Sequence, residues 1–68
     1  MIEHPLKGEF IELNKLLKFS GLVSTGGEAK IFIDEGEVKL NGNVESRKRA
    51  KLKVGDLVEF RGETIKIV

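Results

Sequence analysis

The sequence contains no cysteine, tryptophan or tyrosine, and only one histidine and one proline among its 68 residues. Without cysteine the chain forms neither disulfide bonds nor thiolate metal sites, so we expect packing alone to stabilise the fold. The one histidine, His4, lies beside Pro5 near the N-terminus, where we expect a mobile, solvated side chain. No Ser-His-Asp or Cys-His constellation is therefore predicted, and we expect a protein without enzymatic activity, cofactor or metal.

Long apolar runs and a secretory leader are also missing. No segment approaches the roughly 20 apolar residues of a membrane span. Residues 1–10 (MIEHPLKGEF) lack a basic region followed by an apolar run. We therefore expect no membrane partner and a cytoplasmic location. The length predicts a single domain over residues 1–68 and a monomer, with a core too small for a large enclosed active site.

Two short helices are predicted in the first half of the chain. In residues 12–21 (ELNKLLKFSG) the leucines recur at helical spacing, and Gly21 suits the left-handed position that ends a helix. Thr25 and Glu28 form a capping-box pattern, which predicts the start of a second helix that runs to Gly36.

From Glu37 onward the period of the apolar residues changes from about 3.6 to 2, which indicates strands. Asn41-Gly42 predicts a two-residue hairpin turn, because both residues tolerate positive φ. Further turns are predicted at Gly55-Asp56 and around residues 61–63. Residues 8–11 (GEFI) are predicted to add a short N-terminal strand. The pattern as a whole predicts an α+β fold.

Residues 46–53 (SRKRAKLK) carry five basic side chains in a chain whose formal net charge is +1. Lysine and arginine neutralise phosphates and release counterions, which gives affinity for nucleic acid without a deep pocket. Two other interpretations stay open: a solvated, flexible loop, and a protein-binding adaptor that docks on an acidic partner. We place Phe32 and Phe60 in the core, so stacking on single-stranded bases is disfavoured. Structured RNA, recognised by its backbone and shape, is the favoured partner.

The glycine pair Gly26-Gly27 at the start of the second helix has two interpretations. Its backbone N–H groups could meet a phosphate with the help of the helix dipole. Alternatively, Thr25 caps the helix and the glycines allow close packing of the turn between the helices.

The stretch 26–60 resembles the RNA-binding domain first named for small-subunit ribosomal protein S4. The shared pattern is a helix that carries an alanine, a Gly-x-Val-x-Val-Asn-Gly segment and a Gly-Asp turn before a strand. These appear here as Ala29, residues 36–42 and Gly55-Asp56. The resemblance covers about residues 11–60 and is stronger still to small stand-alone bacterial members of the family. It implies two short helices packed on a small twisted, mainly antiparallel sheet, with an αL motif whose second helix and following hairpin face RNA.

Carried over position by position, the resemblance implies RNA-binding roles for Lys30 on the second helix and for Lys39, Asn41 and Asn43 on the hairpin. The same surface continues with Arg47, Lys48, Arg49 and Lys51, and we add Gly26, Gly27 and Lys15.

Many family members have an arginine where this chain has Gly26, and a basic residue where it has Glu12. We hypothesise that the glycine N–H groups replace the missing arginine. The expected function is a non-catalytic module that binds structured RNA, either ribosomal or transfer RNA or a ribosomal particle, without preference for DNA.

Overall fold

The computed structural model describes all 68 residues. The elements along the chain are β1 (Ile2–His4), β2 (Ile11–Glu12), α1 (Leu13–Phe19), α2 (Gly26–Asp34), β3 (Val38–Leu40), β4 (Asn43–Val44), β5 (Lys51–Leu52), β6 (Leu57–Phe60) and β7 (Glu63–Ile67). Five strands form a sheet in the order β1-β7-β6-β3-β4, while β2 and β5 form a separate antiparallel pair. Only the pairing of β1 with β7 is parallel. The predicted α+β fold, two short helices with a mainly antiparallel sheet, is confirmed.

The core lies between the helices and one face of the larger sheet. Leu40, Val58 and Ile65 lie side by side across β3, β6 and β7. The helices contribute their buried residues to the same apolar cluster, Leu13, Leu16 and Leu17 from α1 and Ala29 and Ile33 from α2. No polar or charged residue is buried. Burial of apolar surface is therefore the main source of stability in this small domain.

The start of α2 has the predicted cap. Thr25 is the N-cap residue, and its Oγ1 accepts a hydrogen bond from the N–H of Glu28 at 3.1 Å. The carboxylate of Glu28 reaches back to the N–H of Ser24 at 2.8 Å, one residue earlier than in the standard capping box. The first bond satisfies a donor that the helix itself leaves without a partner, and the second fixes the residue that precedes the cap.

Both hairpin turns consist of two residues with positive φ. Asn41 (φ 51°) and Gly42 (φ 86°) join β3 to β4, and Arg61 (φ 50°) and Gly62 (φ 82°) join β6 to β7. A turn with positive φ at two consecutive residues has a backbone twist that matches the right-handed twist of the flanking strands. The first turn is as predicted. The second is one residue shorter, because Glu63 already belongs to β7.

The prediction of a mobile N-terminus is wrong. Residues 2–4 form β1, in which Ile2 pairs with Ile65 of β7. The carbonyl of His4 accepts a hydrogen bond from the N–H of Val68, and the N–H of Leu6 donates to the carbonyl of Val68, both at 2.9 Å. The strand predicted at residues 8–11 forms only at its end, where Ile11 begins β2. Both strands pair with distant parts of the chain, which no local pattern indicates.

Candidate nucleic-acid interface

The basic segment, residues 46–53, is tied to the first turn of α1. The N–H of Leu13 donates to the carbonyl of Ala50 at 3.0 Å, and the N–H of Asn14 donates to the carbonyl of Lys48 at 2.9 Å. Helix-start N–H groups have no partner within the helix, so the segment supplies acceptors that α1 needs. Ala50 and Leu52 are buried in the core. The segment is therefore an ordered part of the fold and not a flexible loop, and the interpretation of its cations as a merely solvated surface stays open.

Four cations of the basic segment have no acidic partner. Arg49, Lys51 and Lys53 are exposed, Lys48 is half-buried, and none of the four forms an ion pair. Because the backbone that carries them is fixed, their side chains extend from defined positions. Such an arrangement suits the contact of successive phosphates.

Arg47 differs from these four residues because its charge is already balanced. Its Nε and Nη2 donate to the two carboxylate oxygens of Glu45 at 3.0 and 3.2 Å, and its backbone N–H donates to Oε2 at 3.1 Å. The hydrogen bond from the Arg47 side chain lowers the pKa of Glu45 below its ordinary value. Glu45 therefore stays ionised at neutral pH, and Arg47 has less charge available for a phosphate than the sequence suggests.

The exposed lysines of α1 extend the basic surface. Lys15 lies one residue after Asn14, which bonds to the basic segment, and its Nζ is 3.5 Å from Oε1 of Glu12. Lys18 is exposed on the same helix and forms no ion pair. Lys15 was among the predicted site residues, whereas Lys18 was not, although its position outside the leucine stripe is visible in the sequence.

Lys30 and Lys39 do not share one surface. Lys30 is exposed on α2, 3.9 Å from the carboxylate of Asp34. Lys39 alternates along β3 with residues that face the core, so its side chain leaves the sheet on the face away from the helices, opposite Glu59 in the register. The two lysines therefore lie on different sides of the larger sheet, and their roles in RNA binding stay predictions.

The side chain of Asn41 is used within the fold. Its Oδ1 accepts from the N–H of Leu57 at 2.9 Å, and its Nδ2 donates to Oδ1 of Asp56 at 3.1 Å. Asp56 in turn accepts from the N–H of Lys53 at 2.8 Å through its other oxygen. Hydrogen bonds between the Asn-Gly and Gly-Asp motifs thus join the two turns to each other. Asn43 makes only a 3.5 Å bond to the carbonyl of Asn41 and keeps its side chain available.

We expect Asn41→Ala to lower the free energy of unfolding by about 2 kcal/mol, because it removes two hydrogen bonds and places alanine at positive φ. Asn41→Gly removes the same bonds without the backbone strain and is expected to cost about 1 kcal/mol. Urea unfolding followed by far-UV circular dichroism measures both. If both variants unfold like the wild type but lose RNA affinity, the side chain contacts the ligand instead.

The packing interpretation of Gly26-Gly27 is not supported. A Cβ added to Gly26 meets no atom within 4 Å, and one added to Gly27 meets only Oγ1 of Thr25 at 3.8 Å. Neither glycine has positive φ. No protein atom accepts a hydrogen bond from their N–H groups. The phosphate contact of the glycine pair stays a prediction.

The structure holds no cluster of three or more histidine, aspartate and glutamate side chains arranged for a metal ion. Neither helix has the length and apolar character needed to cross a membrane.

Comparison with known proteins gives consistent matches over nearly the whole chain. The family model described as "S4 domain" matches residues 4–68. The protein named "Putative RNA-binding protein YbcJ" of Escherichia coli (strain K12) is 45% identical over 62 residues, which cover 91% of this chain and 89% of YbcJ. The "Probable ribosome maturation protein RlbA" of Bacillus subtilis (strain 168) is 43% identical over 54 residues, covering 79% of this chain and 76% of RlbA.

A solved structure agrees with the sequence matches. The solution structure of YbcJ from E. coli, described as revealing an αL motif involved in RNA-binding, superposes with a TM-score of 0.77. It is 43% identical in sequence, and the superposition covers 100% of this chain and 87% of YbcJ. The two helices, the sheet and the matched residues 4–68 together establish that this chain belongs to the S4 domain family.

Proposed function

We propose that this protein binds structured RNA through the basic segment and the adjoining start of α1. The observation that carries the proposal is the set of unpaired cations of this segment, above all Lys48, Arg49 and Lys51, on a backbone that bonds directly to α1. Membership of the S4 domain family and the names of the relatives support RNA as the partner.

Ribosomal RNA or a ribosomal particle is the favoured target, since one relative is named as a ribosome maturation protein. A target of this kind implies a cytoplasmic location.

The proposed mechanism is positioning by phosphate contacts. Lys48, Arg49 and Lys51 neutralise phosphates and release the condensed counterions, which supplies most of the affinity. Lys15 extends the contact along α1, and Arg47 contributes less because Glu45 balances its charge. Lys30, Lys39, Asn43 and the glycine pair act as secondary contacts to RNA that reaches beyond the basic segment. Nothing in this mechanism requires a catalytic group.

Crosslinking of the tagged full chain to RNA in bacterial cells, with sequencing of the bound RNA, tests the proposal. We expect discrete enrichment of ribosomal RNA with the wild type, and its disappearance when Lys48, Arg49 and Lys51 are all alanine. Diffuse recovery that the triple variant leaves unchanged would contradict the proposal. Protein partners that stay bound after nuclease treatment would instead favour an adaptor that docks on an acidic protein.

A further inference from the structure

Two of the four phenylalanines line an open groove instead of the core. Phe10 is 41% exposed and Phe19 is 68% exposed. Together with His4 at the end of β1, residues 5–7 and Ile11, they line a groove of about 430 Å³. The His4 and Phe19 rings lie parallel, with 4° between their planes and 6.4 Å between their centroids. The groove therefore exposes aromatic side chains to the solvent. An exposed apolar surface of this kind marks a site of interaction.

Cations surround the aromatic groove. The Nζ of Lys51 lies 5.0 Å from the centroid of the Phe10 ring, Lys7 forms part of the wall, and exposed Lys18 precedes Phe19. Glu3, Glu9 and Glu12 stand beside lining residues in the sequence, but none of them lines the groove, and Glu12 pairs with Lys15. The wall thus contains one lysine and no carboxylate side chain, so the groove suits a planar ligand that carries phosphate.

The groove is continuous with the basic segment. Phe10 leads into β2, and Glu12 of β2 pairs with Lys51 of β5. Lys51 thus belongs to both surfaces, since it is one of the unpaired cations of the basic segment and its Nζ also lies over the Phe10 ring. A phosphate that contacts Lys51 is therefore close to the Phe10 ring.

We propose that this groove takes one unpaired nucleobase of the bound RNA, stacked on Phe10 and Phe19. The inference rests on the proposed function and adds to it a preference for RNA with a bulged or looped-out base. Base-aromatic stacking tolerates any base because every base has a π-face, so the preference concerns RNA shape and not sequence. An apolar peptide is the competing occupant, and its binding depends on apolar area and not on aromatic faces.

Two short RNA hairpins test the inference, one with a single bulged adenosine and one fully paired. Phosphate contacts are independent of sequence, so at low salt both hairpins bind if the proposed function is right. We expect the wild type to bind the bulged hairpin roughly 5- to 100-fold more tightly. The double variant Phe10→Leu/Phe19→Leu is expected to lose this preference and keep its affinity for the paired hairpin, because no charge is removed.

The variants are chosen to separate stacking from apolar contact. Leucine keeps most of the apolar surface but has no aromatic face, and both positions are exposed enough for the fold to tolerate it, which far-UV circular dichroism checks. Ile31→Ala, at an exposed apolar residue of α2, is the control and is expected to keep the preference.

Equal affinity of the wild type for the two hairpins, or a preference that survives in the leucine variant, would overturn the stacking site. Salt-dependent binding of both hairpins would in either case leave the proposed function intact. Failure to bind either hairpin at low salt would count against both.

Discussion

Simultaneous replacement of Lys48, Arg49 and Lys51 by alanine is expected to lower RNA affinity on the order of 10²-fold at 0.1 M salt. Each phosphate that a cation neutralises contributes about 0.7–0.9 to the slope of log K against log salt. We expect a wild-type slope of roughly −2 to −4, and a slope less steep by roughly two units in the variant. Filter binding to a ribosomal RNA fragment over a salt series measures both quantities.

A matched control removes three other positive charges, at Lys30, Lys39 and Lys66. These residues lie on the outer side of α2 and on the sheet face away from the helices. The control variant has the same net charge as the test variant. Because Lys30 and Lys39 are only secondary contacts in the proposed mechanism, we expect the control to lose less than about tenfold in affinity. Equal losses in the two variants would mean that the basic segment is not the main RNA-binding surface.

Leu16→Ala is expected to lower the free energy of unfolding by about 2–5 kcal/mol. Leu16 is fully buried on α1, within the cluster that joins the helix to the sheet. A chain of this length has a total stability of roughly 3–10 kcal/mol, so the variant approaches the limit of folding. Because alanine is an excellent helix former, the loss of stability cannot come from helix propensity and reports the loss of packing. Because the chain has no tryptophan or tyrosine, far-UV circular dichroism in urea is the suitable probe.

Lys18→Ala on the same helix is the control for that measurement. Lys18 is exposed and makes no ion pair, so we expect a change within about 0.5 kcal/mol. If the two variants unfolded at the same urea concentration, the contribution of α1 to the core would be negligible and the packing described above would be wrong.

The elements that could be predicted from the sequence are those whose signal lies within a few residues. Thr25 and Glu28 indicate the start of α2 because capping is a local hydrogen-bond pattern. Asn41-Gly42 indicates the first hairpin because a two-residue hairpin turn requires positive φ at both positions, and few residue pairs other than Asn-Gly tolerate this. The alternation after Glu37 distinguishes strand from helix because side chains on a strand point to opposite faces.

The pairings that escaped prediction connect distant residues. Ile2 pairs with Ile65, and Ile11 pairs with Leu52, in strands of only two or three residues, which are too short to show a period. Such contacts depend on the tertiary structure of the whole chain. The strand propensity of Ile2 or Ile11 does not indicate which residue each one pairs with.

The candidate site was predictable as a cluster of charge but not as a surface. The basic residues of the segment are plain in the sequence, whereas the Arg47–Glu45 pair and the internal role of Asn41 depend on turn geometry. Phe19 had a readable signal, because the leucine stripe of α1 leaves it outside the buried face. The prediction that stacking is disfavoured considered only Phe32 and Phe60, the two phenylalanines that pack on each other with 5.1 Å between their ring centroids.

The two backbone bonds that join α1 to the basic segment exist only in the folded chain, so an RNA that needs this arrangement binds the native state alone. By mass action, such a ligand at 100 times its Kd adds about 2.7 kcal/mol to the stability of the protein. For a domain this small, that increment is a large fraction of the total. Protein in excess of its RNA therefore unfolds more often and is more readily degraded by cellular proteases, which couples the abundance of the protein to that of its ligand.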